Sequence, residues 1–259
     1  MRDVGLERAI DAAGGVAQLA RKIGIAQPSV SNWSTVPAQR VIAVEAATGI
    51  SRKLLRPDLY NEPAPTDLAV DPLDAARAQE YALLATLLLS APSPALLEGI
   101  AQLGDDGTPL GSAHAALAEA AARAVAAELE REYFDLFVGL GRGELLPYAS
   151  YYLTGFLNER PLSRLRDDLA ALGIERAHDS FEPEDHAATL CEVMAGFASG
   201  RFQASWGEQR AFFDKHVASW MGRMFDDMER ATHARFYRSV GALGRLLLEI
   251  ESEAFTFAN

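Results

Sequence analysis

The sequence predicts an all-α fold in two parts, a small head of short helices and a larger helical bundle. Three observations carry this prediction. Ala, Leu, Arg and Glu dominate the 259 residues and long Val/Ile/Thr runs are absent, which favours helix over strand. Apolar residues recur at helical spacing, with no alternating period-2 stretch and no internal repeat of fixed length. A proline-bearing stretch, Tyr60-Asn-Glu-Pro-Ala-Pro-Thr-Asp-Leu-Ala-Val-Asp-Pro72, interrupts that periodicity. Its three prolines cannot continue a helix. Residues 61–72 therefore read as a linker between a domain at 1–60 and another at 73–259.

Composition bounds the function. Hydrophobic residues make up 49% and charged residues 23%, the balance of a globular chain rather than a disordered one. The single cysteine, Cys191, allows no internal disulfide and suits a reducing compartment. Met1-Arg2-Asp3 opens without the apolar core of a signal peptide. The longest apolar run, Tyr81–Leu89, is far short of the ~20 residues that span a membrane. A cytoplasmic protein is expected. Net charge is −12, unevenly spread: residues 1–60 carry +3 and the remainder −15. A mildly basic head can approach phosphate, whereas an acidic body repels nucleic acid and attracts a basic peptide.

In the head, Leu6, Ile10 and Ala13 space as one helix face, and Val16, Leu19, Ala20 and Ile23 as a second. Gly24 ends that second helix, because glycine accepts the left-handed conformation. Gln27-Pro-Ser-Val-Ser-Asn-Trp33 starts a third, with Pro28 tolerated in the first turn. Pro37–Thr48 is a fourth, stopped by Gly49. This is helix-turn-helix grammar. The small Ala20 lets two helices approach, and Val30 and Trp33 pack back on the first of them. Gln27, Ser29, Ser31 and Asn32 are left facing outward, with side chains of the groove-reading kind. Arg21, Lys22 and Arg40 are placed to meet phosphates.

In the body, helices are expected at Asp74–Ser90, Pro94–Leu103 and His114–Phe137, then near 151–157, 161–172, 183–199, 206–228 and 229–253. Ala254–Asn259 read as a tail. Gly139-Leu-Gly-Arg-Gly143 has phosphate-loop spacing. It follows a helix rather than a strand and lacks Lys-Ser/Thr, so it reads as a flexible inter-helix loop. Pro147-Tyr148-Ala-Ser150-Tyr151-Tyr152 places amphipathic rings at a loop–helix junction, and Ser150 is expected to cap the helix that follows. Phe181-Glu182-Pro-Glu-Asp185-His186 reads as a helix start with Pro183 in the first turn and acids favoured by the dipole. No second histidine accompanies Glu182 and His186, so no metal is expected, and Cys191 lies mid-helix among apolar residues, unsuited to a nucleophile. Phe212-Phe-Asp-Lys-His216-Val-Ala-Ser-Trp220, Phe236-Tyr237 and Leu243-x-x-x-Leu247 space as core.

Two resemblances follow. Val36-Pro-Ala-Gln-Arg-Val-Ile-Ala-Val-Glu-Ala-Ala-Thr-Gly-Ile50 and Leu55-Arg-Pro-Asp-Leu-Tyr60, with the helix-turn-helix before them, resemble the YdaS/Cro-type phage repressor and antitoxin head. That implies DNA binding with Gln27–Trp33 as recognition helix, although this helix carries no Lys or Arg, so binding by a monomer should be weak. In the body, five motifs come in order: Tyr133-x-x-Leu-Phe137, Pro147-Tyr148-x-Ser150-x-Tyr152, Glu182-Pro-x-Asp185-His186, Phe213-x-x-His216-x-x-x-Trp220 and Phe236-Tyr237. Together they resemble the TorD/DmsD-type redox-enzyme maturation chaperones. The resemblance implies an all-helical, non-enzymatic, cytoplasmic chaperone without a cofactor. It would bind a molybdoenzyme precursor, at a twin-arginine signal peptide or on the catalytic subunit of a formate dehydrogenase or DMSO/TMAO-reductase type enzyme, and assist cofactor insertion. Tyr148, Ser150, Tyr152, Glu182, Asp185 and His186 are the client-binding residues it implies, with the acids meeting client arginines. A DNA-binding head is outside its usual pattern. The alternative is a transcriptional regulator whose body senses client or ligand. Both resemblances accommodate a homodimer. No complete catalytic constellation is present in the sequence.

Overall fold

The computed structural model describes residues 3–56, 71–175 and 182–257, so most of the expected linker, Tyr60 and Phe181 lie outside the described residues. The chain forms two compact units, Met1–Ala69 and Val70–Asn259. Among the described residues there is no strand, only an isolated bridge between Tyr148 and His186.

The head folds as α1 (Val4–Ala13), α2 (Val16–Lys22), α3 (Gln27–Ser31), α4 (Val41–Thr48), entered through a 3-10 turn at Ala38–Arg40, and α5 (Arg52–Leu55). Asp3 caps α1 by accepting from the Leu6 N–H at 2.7 Å. The α2–α3 turn works as expected: Gly24 takes φ +70°, and the Ile25 N–H returns to the Ala20 carbonyl at 3.0 Å. Leu6, Leu19, Val30, Val41, Val44 and Leu55 close a small core of their own, with Trp33 against its edge. Four helical stretches were expected and α5 is an addition. It is too short to show a period, and it is fixed by tertiary contact. A side chain at Gly5 would strike the Leu54 and Leu55 backbone, and Arg52 donates from its backbone N–H and its Nε to the two Glu45 oxygens at 2.7 and 2.8 Å.

The body runs α6 (Pro72–Leu89), α7 (Pro94–Ile100), α8 (Pro109–Arg123), α9 (Ala126–Tyr133), α10 (Ala149–Thr154), α11 (Arg160–Ala171), α12 (Ala187–Ala198), α13 (Trp206–Phe212), α14 (Met221–Arg230) and α15 (Phe236–Phe257). Helices α9 and α13 each end in a wider π-type turn, Phe134–Val138 and Phe213–Ala218. The core joins α6 to α12, α14 to α15 and α15 to α8. Trp220, Tyr81, Tyr237, Phe213 and Phe225 are fully buried in it. Each such side chain contributes roughly 1.5–3 kcal/mol from burial. Helices α14 and α15 approach closely because Gly241 and Gly244 leave room for the Phe225 backbone and ring.

Several sequence boundaries are corrected. The helix expected over His114–Phe137 is two, α8 and α9, because Ala124 and Val125 are extended. The helix expected over 206–228 is interrupted between α13 and α14. The expected tail is helical through Phe257, because Phe255 is buried beside Trp206 and Phe213, with ring centroids 4.6 and 5.2 Å away. Helix α12 begins at Ala187, four residues later than Pro183, and its cap is His186.

Two buried carboxylates hold the long α15. Glu251 takes both Arg77 Nε and Nη2 at 2.7 and 2.9 Å and the Tyr81 hydroxyl at 3.2 Å, joining the two ends of the body. Glu132 accepts the Arg235 and Tyr237 backbone N–H groups on a single oxygen, each at 2.8 Å, and so caps the start of α15. The Tyr237 and Tyr133 hydroxyls donate to the Leu87 and Leu89 carbonyls, closing the end of α6. Among the described residues, no helix is long and apolar enough to cross a membrane.

Candidate functional site

The loop before α10 and the turn before α12 lie side by side as a one-step ladder. The Ala149 N–H donates to the Asp185 carbonyl at 3.0 Å, and the Ala187 N–H to the Pro147 carbonyl at 2.8 Å. This places Tyr148 against His186, with ring centroids 5.0 Å apart in an edge-on contact. The Tyr148 hydroxyl donates to Glu182 Oε2 at 2.5 Å. Burial first, and Glu182 second, push the Tyr148 hydroxyl well above its ordinary pKa. Tyr133 lies within the field of Glu182 as well, and burial with that charge takes its hydroxyl up to about 12. Its ring joins Phe137 and Tyr237 in one aromatic cluster.

His186 is chemically defined by its cap. Its Nδ1 accepts from the Ala188 N–H at 3.1 Å, so in the neutral ring the proton is on Nε2. Burial lowers its pKa more than Glu182 and Asp185 raise it, which keeps the ring neutral. Asp185 is 1% exposed, and its Oδ2 accepts from the Ser150 N–H at 2.8 Å.

Two sequence expectations are corrected here. Ser150 does not cap α10: it lies within the helix, fully buried, and Asp185 supplies the cap from across the ladder. The Glu182–Asp185 cluster is not an open acidic face. Glu182 is taken by Tyr148, Glu184 by Arg166 Nε and Nη2 at 2.9 and 2.8 Å, and Asp185 by the α10 backbone.

Tyr152 is not brought to this cluster. Its hydroxyl donates to Asp227 at 3.0 Å and its ring lies 5.4 Å from that of Trp220. Beside it, Arg142, Tyr151 and Asp227 line an open cavity of about 270 Å³. Just beyond, Leu153, Phe156 and Leu157 are exposed, as is Leu140 at the tip of the glycine loop. That loop is closed at its base, where Glu144 and Leu145 donate to the Asp135 and Leu136 carbonyls.

Sequence reading missed three polar contacts around the site. Asp168 accepts from Lys215 and meets His216 Nε2, each at 2.5 Å. Glu144 takes the Thr232 and His233 N–H groups and the His233 ring. Burial alone would raise the Glu144 pKa, but these donors outweigh it and hold the carboxyl at about 2. Glu132 is the third. Its signal was its position beside Tyr133, but a cap formed 105 residues away leaves no periodic trace.

In the head, Gln27, Ser29, Ser31, Asn32, Arg21, Lys22 and Arg40 are all exposed, while Val30 between them is buried. The outward face expected of α3 is present.

Comparison with known proteins bears on both parts. A family model described as nitrate reductase delta subunit matches residues 104–226. Chaperone protein TorD of Vibrio cholerae is 31% identical over 130 residues, covering 47% of this chain and 58% of the relative. Chaperone protein TorD of Aliivibrio fischeri is 27% identical over 134 residues, 48% of this chain and 62% of the relative. The body is TorD-like. The chain thus spans less than two thirds of the length of the curated relatives it matches. Among solved structures, a candidate redox enzyme maturation protein from Archaeoglobus fulgidus aligns at 19% identity and TM-score 0.45, over 66% of this chain and 93% of that one. A second family model, described as bacterial toxin YdaS, matches residues 6–64. All of Tyr133, Tyr148, Glu182, Asp185, His216 and Trp220 fall within the stretch that the first model matches in the TorD-like body.

Proposed function

We propose that this chain is a cytoplasmic, non-enzymatic maturation chaperone that binds a molybdoenzyme precursor through its TorD-like body. What carries the reading is the meeting of two separately spaced motifs in one bonded cluster, with Tyr133 of a third in the field of Glu182. Tyr133, Tyr148, Glu182, Asp185 and His186 come from α9, the loop before α10 and the turn before α12, all within the family-matched stretch. In this reading Asp185 and Ser150, at 1% and 0% exposure, are positioning residues, whereas His186 keeps 6%. Tyr148 and the His186 Nε2–H are the groups offered to the client. The exposed Leu153, Phe156 and Leu157, at the end of the helix that carries Tyr152, receive an apolar client stretch. The client is a signal peptide or a catalytic subunit of a formate dehydrogenase or DMSO/TMAO-reductase type enzyme, and binding assists cofactor insertion. Affinity purification of the full chain, with mass spectrometry of the eluate, tests this. A molybdoenzyme subunit is expected at near-stoichiometric amount; its absence from cells that make such an enzyme would sink the reading.

The head is proposed to contact DNA, a reading favoured by the exposed Gln27, Ser29 and Asn32 on α3 with Arg21, Lys22 and Arg40 beside them. Footprinting at low salt with genomic fragments is expected to give protection. No protection at micromolar protein would leave the head as a helical module that binds protein.

A further inference from the structure

Helix α11 lies on the body as an amphipathic strip. Leu162, Leu165 and Leu169, spaced i, i+3, i+7, are buried, while Arg164, Arg166 and Asp167 between them are exposed. Among the described residues its backbone packs closely on α10 and on no other helix. The leucine stripe does not seal against what lies below it. A cavity of about 70 Å³ remains between Pro161 and Leu165 of α11, Ala149 and Leu153 of α10 and Leu190 of α12. Leu153 is also 42% exposed, in the open apolar strip that continues through Phe156 and Leu157, so cavity and strip meet at that side chain. Two polar pins hold α11 at its rim. Asp168 accepts from Lys215 and meets His216 Nε2, each at 2.5 Å, and Arg166 Nη2 donates to Glu184 at 2.8 Å. The Lys215 and Arg166 side chains are 51% and 52% exposed, and ion pairs with such exposed partners contribute little net stability.

We propose that α11 is the chain's own plug: it detaches as a unit while the rest of the body stays folded, and its departure extends the open Leu153–Leu157 strip inward over Ala149 and Leu190. The occupant of the inner groove is thus α11 itself, an autoinhibitory contact. That the uncovered groove serves a client rests on the chaperone reading above; the detachment does not. A helix held by one apolar stripe over incompletely filled space opens at lower cost than a helix packed on most sides. Helix α12 is the contrast, with Leu190, Cys191, Val193, Met194 and Phe197 all buried. Both pins end in segments of the candidate site. Glu184 belongs to the turn before α12, and the His216 carbonyl accepts from Trp220 Nε1 at 2.7 Å, whose ring packs on Tyr152. Closed, the plug keeps apolar surface from unspecific partners.

The test is hydrogen–deuterium exchange of the full chain, read by mass spectrometry. Protection of residues 160–171 is expected to be at least about tenfold below that of α12 and α15. Arg166→Ala combined with Asp168→Ala should lower it by about a further three- to tenfold and change α12 and α15 by less than about twofold. The same double variant should raise the fluorescence of the apolar dye anilinonaphthalene sulfonate. Lys215→Ala removes the outer pin alone and should give a smaller step confined to residues 160–171; it decides the matter if the double variant does not fold. Protection of α11 equal to that of α12 and α15, loss of pins that loosens the whole body alike, or unchanged dye fluorescence overturns the plug. The chaperone reading is judged separately: a molybdoenzyme subunit that co-purifies with a chain whose α11 is fully protected would keep the chaperone and remove the plug.

Discussion

The head and the body carry their candidate contact residues in opposite ways. In the head, Gln27, Ser29, Ser31 and Asn32 are exposed and lie outside the small apolar core. In the body, Asp185, Ser150 and His186 are buried, and the Tyr148 and Tyr152 hydroxyls are each tied to a carboxylate. The difference teaches that the head's face is a surface laid over a finished fold, whereas the body's cluster is part of the fold. Contact and stability should separate cleanly in one and not in the other.

The largest expected effect breaks the body alone. Glu251→Ala leaves the buried Arg77 with Asp74 as its remaining carboxylate and should cost about 3–5 kcal/mol in denaturant unfolding. Next, Asp185→Ala removes the acceptor for the Ser150 N–H and should cost about 1–3 kcal/mol, with client binding reduced as well. Asp185→Asn, which keeps an oxygen there, should recover most of that stability. The matching head changes, Gln27→Ala and Ser29→Ala, should stay within about 0.5 kcal/mol of the parent while DNA protection falls. If they destabilise as much as Asp185→Ala, the contrast between the two parts is lost.

Smaller effects sharpen the contrast. Arg21→Ala or Lys22→Ala should weaken DNA binding uniformly across sequences and lower the salt slope by about one each. His186 has its pKa lowered by burial in the fold, so its stabilising contribution is present above the ordinary value of 6.5 and is lost as pH falls through the folded value. His216 is shifted the same way, also by burial. His186→Asn keeps a capping side chain, so acid sensitivity below 6.5 should shrink without vanishing. Glu144 acts at the lowest pH. Its carboxyl is held at about 2 against an ordinary 4.5, so its contribution is present above 4.5 and fades as pH drops towards 2. Glu144→Gln should flatten the melting temperature over that range only.

Much of the fold was legible residue by residue. Gly24 and Ala20 announced the α2–α3 turn, and the spacing of Phe212, Phe213 and Trp220 announced core. Boundaries failed where a distant partner set them. Ala254–Asn259 looked like a tail because the ring that buries Phe255 belongs to Trp206, and Pro183 looked like a helix start because the cap that moves the start to Ala187 is a histidine. The site was half legible: Tyr148, Glu182, Asp185 and His186 were brought together, Tyr152 was carried to Trp220 instead, and Ser150 had a different role from the cap expected of it.

By itself the sequence determined the all-α class, the helix-turn-helix in the head and the separation of a basic head from an acidic body. Those follow from period, turn residues and charge, which act over a few neighbours along the chain. Tertiary structure alone decided which carboxylates are occupied. Glu182, Glu184 and Asp185 are adjacent in sequence and looked available, yet each meets a donor 18 to 35 residues away. Glu132 looked unremarkable until α15, about a hundred residues on, put the Arg235 and Tyr237 N–H groups on one of its oxygens. Hydrogen-bond capacity is fixed by the side chain, but whether it is spent is fixed by what the fold brings within 3 Å.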